Sequence, residues 1–88
     1  MDDTKIFNLN RGALFSIYPN PTSDYLSINS ITNNPYQIHL FDTNGKLILE
    51  KVDLQQNTRI DIHNFPSGIY FIQIQQEGNT YTEKIIIQ

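Results

Sequence analysis

His39 and His63 are the side chains in this sequence best suited to acid–base or metal chemistry. Each alternates with apolar neighbours in a strand-like run, so each is expected to point outward. Neither has a second His or a Cys at ligand spacing. The run Asp42-Thr43-Asn44-Gly45 begins like a calcium loop. Its glycine stands fourth, however, where an EF-hand loop needs it sixth, and the third oxygen ligand is missing. A tight turn is the better reading, because Asn44 and Gly45 both tolerate positive φ. Asn20-Pro21-Thr22 has the outline of a glycosylation acceptor, which proline in the middle position forbids. Ser67 before Gly68 lacks the surroundings of a nucleophile elbow. The sequence contains no cysteine, which excludes disulfides, thiolate catalysis and Cys-type zinc sites. The residues therefore predict no catalytic group, no metal ligand and no cofactor. Tyr18, Tyr25, Tyr36, Tyr70 and Tyr81 leave one further chemistry open. They offer either aromatic faces on which a sugar stacks, or core and rim positions whose hydroxyls reach water.

The elements that would carry these residues are strands. Apolar side chains recur at every second position: Leu26 and Ile28, then Tyr36, Ile38 and Leu40, then Ile60 and Ile62, then Tyr70, Ile72 and Ile74, then Tyr81, Ile85 and Ile87. Turn signals separate the runs at the spacing of a sandwich: Asn33-Asn34-Pro35, Asp42 to Gly45, Asn64 to Gly68, and Glu77-Gly78-Asn79. Seven strands are predicted, over residues 15–18, 25–30, 36–42, 46–53, 58–62, 69–76 and 80–87, with a bulge near Lys51 in the fourth. The fold class is thus all-β, an Ig-like antiparallel sandwich of about seven strands. Residues 1–14 read as a linker remnant or flexible tail, and residues 15–88 as the folded domain. Tyr70 follows Gly68-Ile69 at a strand start, where a tyrosine can pin a corner by hydrogen-bonding upstream backbone.

Composition agrees with one small domain. The chain has 88 residues and 39% hydrophobic content. A chain of that length buries only about 60–65% of its unfolded surface. The net charge of −3 argues against nucleic acid, because no basic patch would neutralise a run of phosphates. No apolar run approaches the ~18–20 residues needed to span a bilayer as a helix. The N-terminal stretch has no apolar core of the kind a signal peptide needs.

Four stretches in order, FSIYPNPTSDYLSI, IHLFDTNGKLI, IDIHNFPSGIYFIQI and YTEKIII, resemble a known family. It is the C-terminal sorting domain, type A, of proteins exported by the type IX secretion system of Bacteroidetes bacteria. The resemblance covers residues from about 15 to 88. It implies an Ig-like sandwich without activity of its own, joined behind a cargo such as a protease, adhesin or glycosidase. It also implies two partners, the outer-membrane translocation machinery and a surface sortase-like peptidase that removes the domain. The implied route is export through the periplasm to the cell surface or beyond, and a weak homodimer is left open.

The family's Pro-Asn-Pro motif falls on Pro19, Asn20 and Pro21, with Asp24 beyond. Its Gly-x-Tyr motif falls on Gly68 and Tyr70, and of its basic terminal strand Lys84 is kept. These seven residues are the candidates for recognition. Asp42, Asn44 and Gly45 form the expected structural turn. Gln88 stands where the family often has Lys or Arg. The alternative is an Ig-like carbohydrate- or protein-binding accessory module of an extracellular enzyme. Two readings of the Pro19-Asn20-Pro21 corner stay open and are compatible. Prolines pre-set it for a partner, or they blunt a sheet edge.

Overall fold

Alternating burial along the central strands dictates two facing layers. The computed structural model describes residues 14–88, so the expected tail over residues 1–14 lies outside the described residues except for Leu14. Seven strands follow in chain order: β1 (Phe15–Tyr18), β2 (Tyr25–Ser30), β3 (Tyr36–Asp42), β4 (Leu47–Leu54), β5 (Asn57–Asp61), β6 (Gly68–Gln76) and β7 (Asn79–Ile87). Their bounds differ from the predicted ones by one residue at most. No helix occurs among the described residues. One sheet has the order β1-β2-β5 and the other β4-β3-β6-β7, with every strand pair antiparallel.

The core is the seam between the sheets. Leu26 and Ile28 of β2 and Ile60 of β5 face Ile38 and Leu40 of β3, Ile72 and Ile74 of β6, and Ile85 and Ile87 of β7; all are buried. Each such side chain contributes about 1.5–3 kcal/mol when fully buried. Phe15 closes one end of the seam, edge-on to Tyr36 at 5.4 Å and stacked on Tyr81 at 6.2 Å. At the same end the buried Gln76 amide donates to Asn34 O (2.9 Å) and Thr32 Oγ1 (3.2 Å), fixing the loop between β2 and β3.

The turns differ in mechanism. Between β6 and β7, Glu77 (φ +49°) and Gly78 (φ +81°) both adopt the left-handed conformation of a two-residue hairpin. Between β3 and β4 only Gly45 does so, at φ +80°. The expectation that Asn44 would share positive φ is therefore corrected. Asp42 holds the turn instead: its Oδ1 accepts from the backbone N–H groups of Asn44 and Lys46, both at 2.9 Å. Gly45 N–H donates to Asp42 O at 3.0 Å. The Asp42 carboxylate thus serves the turn, not an ion. The fourth strand carries its bulge beside Lys51, at Val52 and Asp53, and a second where Ile48 is extra. A bulged, charged edge resists pairing with other chains.

Candidate functional site

Register brings the dispersed motifs to one end of the sandwich. Asp42 on β3 lies opposite Tyr70 on β6, and Tyr70 lies opposite Ile85 on β7. Gly68 lies opposite Ile87. The 42–45 turn, the Gly68-Tyr70 segment and the last residues of β7 are thus neighbours across three strands. Residues 18–22 reach the other side of β7. Asp24 stands with the three-stranded sheet, where its carbonyl accepts from Ile62 N–H at 2.9 Å.

The corner carries the chain from one sheet to the other. β1 pairs with β2, yet Thr22 forms a parallel bridge with Ile87 of the opposite sheet. The Tyr18–Pro19 and Asn20–Pro21 peptide bonds are both cis. Between the prolines, Asn20 uses its side-chain amide as a second peptide group. Its Nδ2 donates to Lys84 O at 3.0 Å, and its Oδ1 accepts from Ile86 N–H at 3.0 Å. Thr22 continues the ladder with backbone: its N–H donates to Ile86 O (2.9 Å) and its carbonyl accepts from Gln88 N–H (2.7 Å). Four successive polar groups on the outer edge of β7 are satisfied this way. The outer edge of β7 is thus protected, but by the Asn20 side chain and the Thr22 backbone and not by the prolines to which the sequence reading gave that role.

Tyr70 is buried and its hydroxyl donates to Pro66 O at 2.7 Å, which is the expected corner pin. Phe65 stacks on its ring at 6.3 Å. Gly68 has φ +152°, and a Cβ built there would meet nothing within 4 Å. Backbone conformation, not crowding, is what asks for glycine. Lys84 is tied through its carbonyl to Asn20, while its side chain is exposed on the outer face of the four-stranded sheet.

The five tyrosines do not gather. Tyr36 and Tyr70 are buried, whereas Tyr18 is exposed. The Tyr36 hydroxyl donates to Gln56 O (2.9 Å) and accepts from Thr58 Oγ1–H (3.0 Å). Burial raises its pKa, partly offset by the Thr58 hydrogen bond. Tyr81 is pushed up to about 12, first by burial and then by its hydrogen bond to Glu83. Tyr25 lies under the Arg59 guanidinium, 3.6 Å from ring centroid to Cζ. A shared sugar-stacking platform is thus absent among the described residues.

His39 is half-buried on the outer face, with Nε2 at 2.8 Å from Glu50 Oε2. His63 lies just past the end of β5, not on a strand as expected, because the chain turns after Ile62. There it is exposed and bonded through Nδ1 to Asp61 Oδ1, whose carboxylate raises the imidazole pKa. The Asp61 carboxyl is lowered in turn by that hydrogen bond.

The sequence reading missed Thr22, Ile86 and Gln88 as parts of the corner, and Arg59 as the cover of Tyr25. Thr22 donates its hydroxyl locally to Tyr25 O, but nothing local signals its place in the corner, since its backbone partners Ile86 and Gln88 lie more than sixty residues away.

Comparison with known proteins places this geometry. The profile of the secretion system C-terminal sorting domain matches residues 16–88. An ulvan lyase from Nonlabens ulvanivorans is 31% identical over 77 residues, covering 85% of this chain and 14% of the lyase. Karilysin from Tannerella forsythia is 28% identical over 86 residues, covering 82% of this chain and 18% of karilysin. An endo-acting ulvan lyase from Formosa agariphila is 33% identical over 76 residues, covering 82% of this chain and 14% of that enzyme. The chain therefore spans less than a fifth of the curated relatives it matches.

Among solved structures, a Bacteroides vulgatus protein with an immunoglobulin-like β-sandwich fold superposes at TM-score 0.75, with 16% identity and 85% of each chain covered. PorZ of Porphyromonas gingivalis, a surface component of the type IX secretion system, superposes at TM-score 0.72 with 14% identity. That match covers 90% of this chain and 12% of PorZ. The Bacteroides vulgatus likeness supports the Ig-like sandwich. With the family profile matched over nearly the whole of that sandwich, the chain belongs to the secretion system C-terminal sorting domain family.

Proposed function

We propose that this chain is a non-catalytic export signal of the type IX secretion system. Residues 15–88 act as the signal, and residues 1–14 join it to a cargo on the same polypeptide. The signal directs that cargo across the periplasm and the outer membrane. At the cell surface a sortase-like peptidase removes the domain, leaving the cargo attached or released. The family match over residues 16–88 carries this reading. Pro19, Asn20, Pro21, Gly68 and Lys84 meet around the last residues of β7, with Asp24 on the flank and the buried Tyr70 pinning the corner, which supports a recognition role for this end of the sandwich. The scattered tyrosines give the carbohydrate-module alternative no support.

The test is a fusion of residues 1–88 behind a periplasmic reporter in a Bacteroidetes host. The reporter should reach the surface or medium when the type IX machinery works and stay in the periplasm when it is deleted. Retention in both strains, with the fusion intact and folded, rejects the proposal.

A further inference from the structure

The outer face of the four-stranded sheet is divided in two. One half is polar: Gln37 and His39 of β3, Gln73 and Gln75 of β6, Thr80 and Thr82 of β7. The other half is apolar and crosses all four strands. Leu47 of β4 lies opposite Phe41 of β3, Phe41 opposite Phe71 of β6, and Ile69 of β6 opposite Ile86 of β7. Leu47, Ile69, Phe71 and Ile86 are 45%, 44%, 37% and 38% exposed, and Phe41 is half-buried beside them. The side opposite the core of an antiparallel sheet is ordinarily solvated and polar. Together these five side chains expose on the order of 300 Å², the size at which a contiguous apolar patch on a monomer is often functional. Lys84 stands within the patch, opposite Phe71 and two residues before Ile86. Among the described residues no carboxylate lies within salt-bridge distance of it.

Three occupants can be weighed: a second copy, the cargo, or a protein of the machinery. A second copy would bring two lysine-bearing faces together. Glu50, a carboxylate on that face, is already bonded to His39. The patch is also smaller than the ~800 Å² per partner of a standard stable interface. The cargo is disfavoured by position. The described residues begin at Leu14, beside Phe15 where it packs on Tyr36 and Tyr81, and the patch lies at the other end. A transient partner with apolar side chains and a carboxylate for Lys84 satisfies both size and charge.

We propose that this half-face, centred on Phe71, Ile86 and Lys84, docks on an apolar, carboxylate-bearing surface of the export machinery. The proposal rests on the export function above, and it assigns the contact to an outer sheet face that none of the motif residues except Lys84 marks. The experiment uses the same reporter fusion. Phe71→Thr with Ile86→Thr removes the apolar centre but keeps good strand formers, and Lys84→Glu reverses the charge. Gln73→Glu, on the polar half of the same face, is the control.

Both patch variants should lower machinery-dependent export by about tenfold or more, as loss of a central contact does. The control should export like wild type. Urea midpoints of the purified variants should stay close to the wild-type value. Folded patch variants that export like wild type overturn the proposal and leave the export function standing. Failure of the wild-type fusion to export rejects the export function itself. A wild-type domain that sediments as a dimer, and becomes monomeric in the patch variants, gives the face to a second copy and also overturns the proposal.

Discussion

Two residues at the motif end make testable demands on their surroundings. Tyr70 spends its hydroxyl on Pro66 O, an acceptor in a part-buried corner. Tyr70→Phe leaves that carbonyl without its donor and should cost about 1 kcal/mol in a urea melt. Gly68→Val should cost more, on the order of 1–3 kcal/mol, because φ +152° is a conformation that L side chains rarely adopt. Equal midpoints for wild type and both variants would mean that the corner is not held in this way. The Asp61–His63 pair makes a pH-dependent demand. The carboxylate raises the His63 pKa above 6.5, so the pairing contributes fully below 6.5 and is lost as pH rises through the folded value. Asp61 is shifted the opposite way, so its share is present above 3.8 and lost as pH falls through its lowered folded pKa. Between those limits both groups are charged and paired. Both are exposed, so the effect on global stability is small. An NMR titration should place the His63 midpoint above that of a free histidine, and Asp61→Asn should return it toward 6.5. An unmoved midpoint in Asp61→Asn would show that the carboxylate is not the cause.

At the scale of elements, the outer edge of β7 is the informative one. β4, the other edge of its sheet, is protected by two bulges. β7 pairs along all nine of its residues without a bulge and relies on the corner instead. Asn20→Ala should therefore speed hydrogen exchange at the Ile86 amide while leaving Ile85, bonded into the β6–β7 ladder, protected. The stability cost should be about 0.5–1.5 kcal/mol, since water replaces part of what is lost at an exposed edge. Unchanged exchange at Ile86 would argue against the side-chain bridge.

Most of this level was legible in the sequence. Period-two alternation from Leu26 through Ile87 located the strands, and Asn, Gly and Pro located the turns between them. The bulge near Lys51 was legible because the apolar spacing breaks between Leu49 and Val52. The partition into β1-β2-β5 and β4-β3-β6-β7, and the Asn20 bridge, were not. Both are pairings between distant stretches, and an isolated Asn-Pro dipeptide reads the same whether its amide meets solvent or a strand. The apolar half-face was hidden for a related reason. Phe41, Ile69, Phe71 and Ile86 adjoin core residues in consecutive apolar runs, where alternation does not tell an outer position from an inner one, and only cross-strand register makes them contiguous with Leu47.

For the molecule as a whole, non-local pairing governs how the fold is reached. Folding rates fall as contacting residues lie further apart in the chain, because loop closure must be completed before such contacts stabilise anything. The corner is an extreme case: Asn20 is separated from Lys84 by 64 positions and from Ile86 by 66. On an emerging polypeptide the corner is synthesised early and has no mate until the seventh strand follows. Its closure is expected to be a late event, a latch set after the sandwich has condensed. In rate terms, Asn20→Ala should leave the folding limb of a chevron almost unmoved. It should accelerate unfolding about fivefold for a loss of ~1 kcal/mol. Slowed folding with unchanged unfolding would place the latch in the nucleus instead. A late latch sets the lifetime of the closed state more than the time taken to reach it, so the Asn20 amide would act chiefly as a brake on reopening.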